Sequence, residues 1–179
     1  MVSSLITKKR IAKAFKKLFV TQPFDKISVR DIMEEAGVRR QTFYNHFVDK
    51  YELLEWIFQT ELREQVTDNL DYISGMQLLT ELLHFFQSNR EFYKKLFDIA
   101  DQNDFSSYFE GYCQQLIDKL IADYRIREFE VAEERELFVT YHSLALANLI
   151  KHYLTCSTGS CQLDSQAIVQ LITTSLENY

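Results

Sequence analysis

A chain of 179 residues with 46% apolar and 26% charged side chains can bury about 70% of its unfolded surface, which excludes disorder and any need for disulfide staples. Four glycines and one proline are too few for the corners of a sandwich or barrel, so the composition calls for an all-α chain. The net charge of −6 is unevenly spread: residues 1–52 hold eleven Lys/Arg and six Asp/Glu, and the remainder nine and twenty, a basic module on an acidic body.

The first element is predicted to start at Thr7 as N-cap. Ile11, Phe15, Leu18 and Phe19 then form one apolar stripe, with Lys8, Lys9, Lys13, Lys16 and Lys17 largely off it. Pro23 ends this helix, and Phe24 and Ile27 cover the core from a short connection. Ser28 with Asp31 three residues on is a capping-box start, before Val29, Ile32, Met33 and Ala36. Gly37 closes that helix in the left-handed conformation. A second short helix is predicted from about Arg39 to His46, with Phe43 and Phe47 inward, completing a helix-turn-helix pattern. Asp49 caps a further helix carrying Leu53, Leu54, Ile57 and Phe58 to about Thr67. The expected organisation is a three-helix helix-turn-helix domain over 1–50 and a second helical domain over 51–179.

Beyond this point stripes recur at Leu78, Leu79, Leu82, Phe85 and Phe86, at Phe92, Tyr93, Leu96 and Phe97, and at Phe105, Tyr108, Phe109, Tyr112, Leu116 and Leu120. The last two helices, about Glu134–Tyr153 and Asp164–Leu176, differ. Leu137, Phe138, Tyr141, Leu144, Leu146, Leu149 and Ile150 cover several faces of the first, and Ile168, Val169, Leu171 and Ile172 lie on the second. Helices apolar nearly all round in so short a chain are expected to be shared with a second copy, giving a homodimer through a four-helix interface.

Segment 37–50 carries the candidate chemistry. With Val38, Phe43 and Phe47 in the core, Arg39, Arg40, Gln41, Thr42, Tyr44, Asn45, His46 and Lys50 remain exposed, nearly all of them hydrogen-bond donors. Arginine matches the paired acceptors of guanine, and glutamine or asparagine the edge of adenine, in the major groove. Thr42, Tyr44 and Lys50 suit phosphate instead. The bland alternative is a solvated polar helix face.

His152 and Cys156 lie four apart on one helix with Cys161 after it, a partial zinc set that would need a fourth ligand such as His142 or Cys113. The spacing matches no standard zinc motif, and ordinary helix-end residues are the alternative. Phe86, Phe97, Phe109 and Tyr112, with Phe85 and Phe105, could line an effector pocket, although aromatics at helical spacing are more often plain core. Gly111, mid-helix, marks either close packing or room for a ligand. A phosphate loop, a nucleophile elbow and an HExxH pair are all missing, so no enzyme and no cofactor are expected. The three cysteines, the lack of a secretory pattern and the lack of a membrane-length apolar run fit a cytoplasmic protein with no membrane partner.

From Thr7 to Leu54 the chain resembles the N-terminal domain of the TetR family of bacterial transcription regulators. The resemblance lies in the first apolar helix, Phe24, Ser28-Val29-Arg30-Asp31-Ile32, Ala36-Gly37-Val38, and Thr42-Phe43-Tyr44-Asn45-His46-Phe47 followed by Lys50 and Leu53. It implies about nine helices, a dimer made by the last two, and a ligand pocket in the body. It also implies that Arg30, Arg40, Gln41, Tyr44, Asn45 and His46 face double-stranded operator DNA, with Thr42 and Lys50 on phosphates. Two departures stand out: Gln22-Pro23 replaces a usual glycine before Phe24, giving a different turn, and Gln41 replaces a common small residue or proline, which bears on the base read. A closer resemblance, in Arg39 to Asn45, Leu53 to Phe58 and Asn89 to Phe97, is to a Firmicutes group that includes the activator of a dihydroxyacetone kinase operon. It implies activation through a protein co-activator in place of a directly bound drug.

The expected function is therefore a sequence-specific regulator that binds a palindromic operator as a dimer and answers to a small molecule or protein co-regulator. The alternatives are a zinc-responsive regulator of the same fold and a helical protein-interaction adaptor that does not bind DNA. Activation and repression both stay open.

Overall fold

The computed structural model describes residues 2–99, 105–124, 129, 131–156 and 163–177, and among these every regular element is helical. Two compact units divide the chain, Met1–Thr60 and Glu61–Tyr179.

In the first unit α1 spans Val2–Thr21, starting five residues before the expected Thr7 cap. Nothing in Ser3-Ser4-Leu5-Ile6 breaks a helix, and a threonine inside one costs only a few tenths of a kcal/mol, about 0.7 at most. The 3-10 turn Phe24–Lys26 follows Pro23, and α2 spans Val29–Ala36. The capping box is complete: Asp31 N–H donates to Ser28 Oγ at 3.2 Å, and Ser28 N–H donates to Asp31 Oδ2 at 2.9 Å. The Ser28 hydroxyl and amide hold the Asp31 carboxyl below the usual carboxylate range. Gly37 ends α2 with φ +63°, where a side chain would be strained and a Cβ would sit 3.0 Å from Arg10 Nη2.

The second short helix, α3, spans Arg40–Tyr44 and is shorter than expected. Arg39 is its extended N-cap with ψ 139°. Beyond Tyr44 the chain tightens, with the His46 and Phe47 amides both donating to Phe43 O at 2.9 Å. The next helix, α4, spans Lys50–Gln65. Asp49 Oδ1 caps it by accepting the Tyr51 and Glu52 amides, each at 2.9 Å.

Ile11, Phe15, Ile32, Phe43, Leu53, Leu54 and Phe58 are fully enclosed in this unit, each contributing about 1.5–3 kcal/mol by burial. Phe24 meets Phe15 and Phe19 edge-on, at centroid distances of 6.2 and 5.9 Å.

The second unit holds the 3-10 turn Thr67–Asn69 and the helices α5 Gly75–Ser88, α6 Arg90–Asp98, α7 Phe105–Tyr124, α8 Ala132–Thr155 and α9 Ser165–Glu177. α8 packs on α7 and α6, and α5 packs on α7 and α9. At Gly75 the α5 backbone comes so close to α7 that an added Cβ would lie 2.9 Å from Leu120 Cδ2 and 3.2 Å from Leu120 Cα. Gly111 is the opposite case. A Cβ there meets nothing within 4 Å, so close packing is not its role.

α8 is apolar on several faces, as its sequence indicates. Leu146, Ala147 and Ile150 are buried, while Leu137 and Tyr141, with Leu171 of α9, stay 62%, 67% and 70% exposed. No helix among the described residues is long and apolar enough to cross a membrane.

Candidate nucleic-acid interface

α3 buries one residue, Phe43, and presents the rest. Arg39, Arg40, Gln41, Tyr44 and Asn45 are exposed, and Thr42 and His46 are half-buried. Phe43 fixes the helix by packing on Phe47 at 5.6 Å and by taking the Tyr44 ring edge-on at 5.5 Å. Arg40 Nη2 donates to Tyr44 Oη at 3.4 Å, one turn along the same face. The surface is thus a single turn of guanidinium, amide and phenol groups on a rigid aromatic base. Such groups form paired hydrogen bonds to base edges or single bonds to phosphate. Arg30 is exposed in the first turn of α2.

The Lys50 ammonium lies against the turn before α2. Nζ donates to Phe24 O at 2.8 Å and Ile27 O at 3.0 Å, with Asp25 O at 3.5 Å, and lies 4.4 Å from the Phe24 ring centroid. The carbonyls at the end of the 3-10 turn are ready acceptors for a cation, which is why the lysine turns inward.

Three supporting contacts escaped the sequence reading. Arg10 Nη2 donates to Gly37 O at 3.4 Å. Lys17 Nζ pairs with Glu35 Oε1 at 2.6 Å. Lys8 Nζ lies 4.9 Å from the Phe47 ring centroid and 5.4 Å from that of Trp56. A helical lysine spacing gives no hint of which lysine finds an aromatic face.

In the second unit Phe86 and Phe109 are buried ring to ring at 5.3 Å, Phe97 meets Phe109 at 5.6 Å, and Tyr112 is half-buried. Burial pushes the Tyr112 phenol up from its ordinary value, and burial does the same to the Cys113 thiol. His152 is exposed and Cys156 half-buried at the end of α8, where Arg90 Nη2 donates to Tyr153 O at 3.3 Å and to Cys156 O. Cys161 lies outside the described residues. Among the described residues, no group of three His, Cys, Asp or Glu side chains could hold a metal.

An apolar groove on α8 and α9 is lined by Tyr141, His142, Leu149, Leu171 and Ile172. His142 Nε2 lies 3.0 Å from Ser175 Oγ, and burial holds its imidazole below the ordinary histidine value.

Similarity to known proteins extends over nearly the whole chain. The family described as "Bacterial regulatory proteins, tetR family" matches residues 11–57, and "Transcriptional regulator C-terminal region" matches residues 75–178. The HTH-type dhaKLM operon transcriptional activator DhaS of Lactococcus lactis subsp. lactis (strain IL1403) is 36% identical over 174 residues, covering 96% of this chain and 92% of that protein. A solved structure of the dihydroxyacetone kinase operon activator DhaS superposes with a TM-score of 0.87 at 33% identity, covering 98% of both chains. A TetR regulator from Streptococcus agalactiae 2603V shares the fold, with a TM-score of 0.65 at 20% identity over 98% of this chain and 96% of that one. The chain therefore belongs to the tetR family of bacterial regulatory proteins and is a transcription regulator, not an enzyme.

Proposed function

We propose that the protein binds double-stranded operator DNA as a homodimer in the bacterial cytoplasm, each copy placing α3 in one major groove. The observation that carries this reading is the division of α3, with Phe43 enclosed and Arg39, Arg40, Gln41, Tyr44 and Asn45 turned to solvent. Arg40 and Gln41 are the base-reading side chains, Arg30 faces the duplex, and Thr42 contacts phosphate. The exposed Leu137, Tyr141, Leu144, Leu149 and Leu171 supply the self-association face. An isologous contact through them spaces two copies of α3 for a palindromic operator.

The second unit receives the signal, a small molecule or a protein co-activator. The likeness to DhaS, named as an operon activator, supports activation over repression. A gel-shift on DNA flanking the protein's own gene, with sedimentation of the free and bound protein, tests this. A discrete complex of two chains per duplex that survives competitor DNA is expected. Monomeric protein that shifts no fragment at low salt would overturn it.

A further inference from the structure

We propose that Lys50 is a positioning residue for DNA binding: its ammonium fastens the turn between α1 and α2 and so sets the first turn of α2, without touching a phosphate itself. This rests on the DNA-binding reading above and departs from the expected direct phosphate contact.

An ammonium has three N–H groups. In Lys50 two of them meet Phe24 O and Ile27 O at 2.8 and 3.0 Å, and the third is directed at Asp25 O at 3.5 Å. The Phe24 ring, whose centroid is 4.4 Å away, adds a cation–π contact on a half-buried charge. The two short bonds commit the ammonium to the turn, and only the long Asp25 contact could be exchanged without loosening it.

The acceptors also have a particular place in the chain. Ile27 directly precedes Ser28, the N-cap of α2, and Arg30 is exposed two residues further on. Pulling Ile27 O toward the start of α4 therefore fixes where α2 begins and where the Arg30 side chain emerges. Tyr51, next to the lysine, packs edge-on against Phe24 at 4.8 Å and holds the same turn from the same helix.

Two substitutions separate positioning from contact. Lys50→Gln removes the charge, while Lys50→Arg keeps it in a planar guanidinium that does not fit between three carbonyls. Binding of a labelled 30-bp duplex from the flanking DNA is measured across a potassium chloride series. Loss of these charge-assisted bonds is expected to weaken both variants about tenfold. The slope of log K against log salt should stay that of the parent in Lys50→Gln, because no phosphate contact is lost.

A slope shallower by about 0.9 in Lys50→Gln, with parent-like binding by Lys50→Arg, would overturn the proposal, as would parent-like binding by both. Hydrogen exchange of the free protein gives a second measurement that needs no DNA. The amides of Lys26 and Ile27, bonded to Pro23 O and Phe24 O at 3.0 and 3.1 Å, should exchange faster in both variants while α3 stays protected. Parent-like exchange at the turn would equally contradict the proposal. Failure of the parent to bind any duplex counts against the DNA reading, and the exchange result still decides the role of Lys50 in the turn.

Discussion

The phenol of Tyr93 is fully enclosed and donates a hydrogen bond to the Glu61 carboxylate, joining α6 to the last turns of α4. Burial first, and the adjacent carboxylate second, push the phenol well above its ordinary value, so it stays a donor throughout the physiological range. Phe85, Phe86 and Phe92 surround the ring at 5.4, 4.8 and 5.1 Å.

Tyr93→Phe keeps that packing and removes the donor. A loss of about 1–3 kcal/mol of stability is expected in denaturant melts. The sign at high pH follows from linkage. The unfolded chain ionises this tyrosine near pH 10 and the folded chain does not, so stability is fully present below about pH 10 and falls above it. The alkaline loss should be smaller in Tyr93→Phe, and an identical pH profile would show that the phenol is not the group responsible.

His142 works in the opposite direction. Its folded-state value lies below 6.5 because of burial, so the unfolded chain takes up the proton first. Its contribution is intact above pH 6.5 and is lost as pH falls toward the folded value. The groups around the ring are Ser175 Oγ at 3.0 Å, Phe138 at 4.1 Å and Tyr141 at 5.1 Å, none of them a carboxylate that would favour the charged form. Melts between pH 7.5 and 5.5 should show a decline that His142→Gln lessens.

The two helical glycines of the second unit should respond in opposite ways. Gly75→Ala forces a Cβ against Leu120 and is expected to cost about 1–3 kcal/mol. Gly111→Ala meets open space inside α7 and should stabilise by about 0.5–1 kcal/mol. Thermal melts of the two variants check both signs together.

Tyr141→Glu combined with Leu171→Glu places charge on side chains that are 67% and 70% exposed in the single chain. The fold should tolerate this. If the face is shared between two copies, sedimentation should show monomers, and DNA affinity should fall with them. A dimer that survives both substitutions would move the self-association surface elsewhere.

Much of this architecture was legible in the amino-acid string because local chemistry dictates it. Ser28, Asp31 and Gly37 bound α2 through hydrogen bonds and a backbone conformation that depend on residue type alone. Phe43 and Phe47 announced the buried side of segment 37–50 by spacing. What stayed hidden depends on tertiary partners or weak local preference. Thr7 could cap a helix or sit within one, and a passable helical run before it decided the matter. The destination of Lys50 was invisible because its acceptors are backbone carbonyls, which carry no sequence signature. Arg90 reaches the end of α8 across 63 residues for the same reason.

The most direct measurement is a base-pair substitution scan of the bound site with the parent protein and with Arg40→Ala. If α3 reads base edges, Arg40→Ala should cost about 1–3 kcal/mol and erase discrimination at one base pair per half-site, leaving the other positions as sharp as before. A uniform loss at every position, or none at all, would contradict the placement of α3 in the major groove.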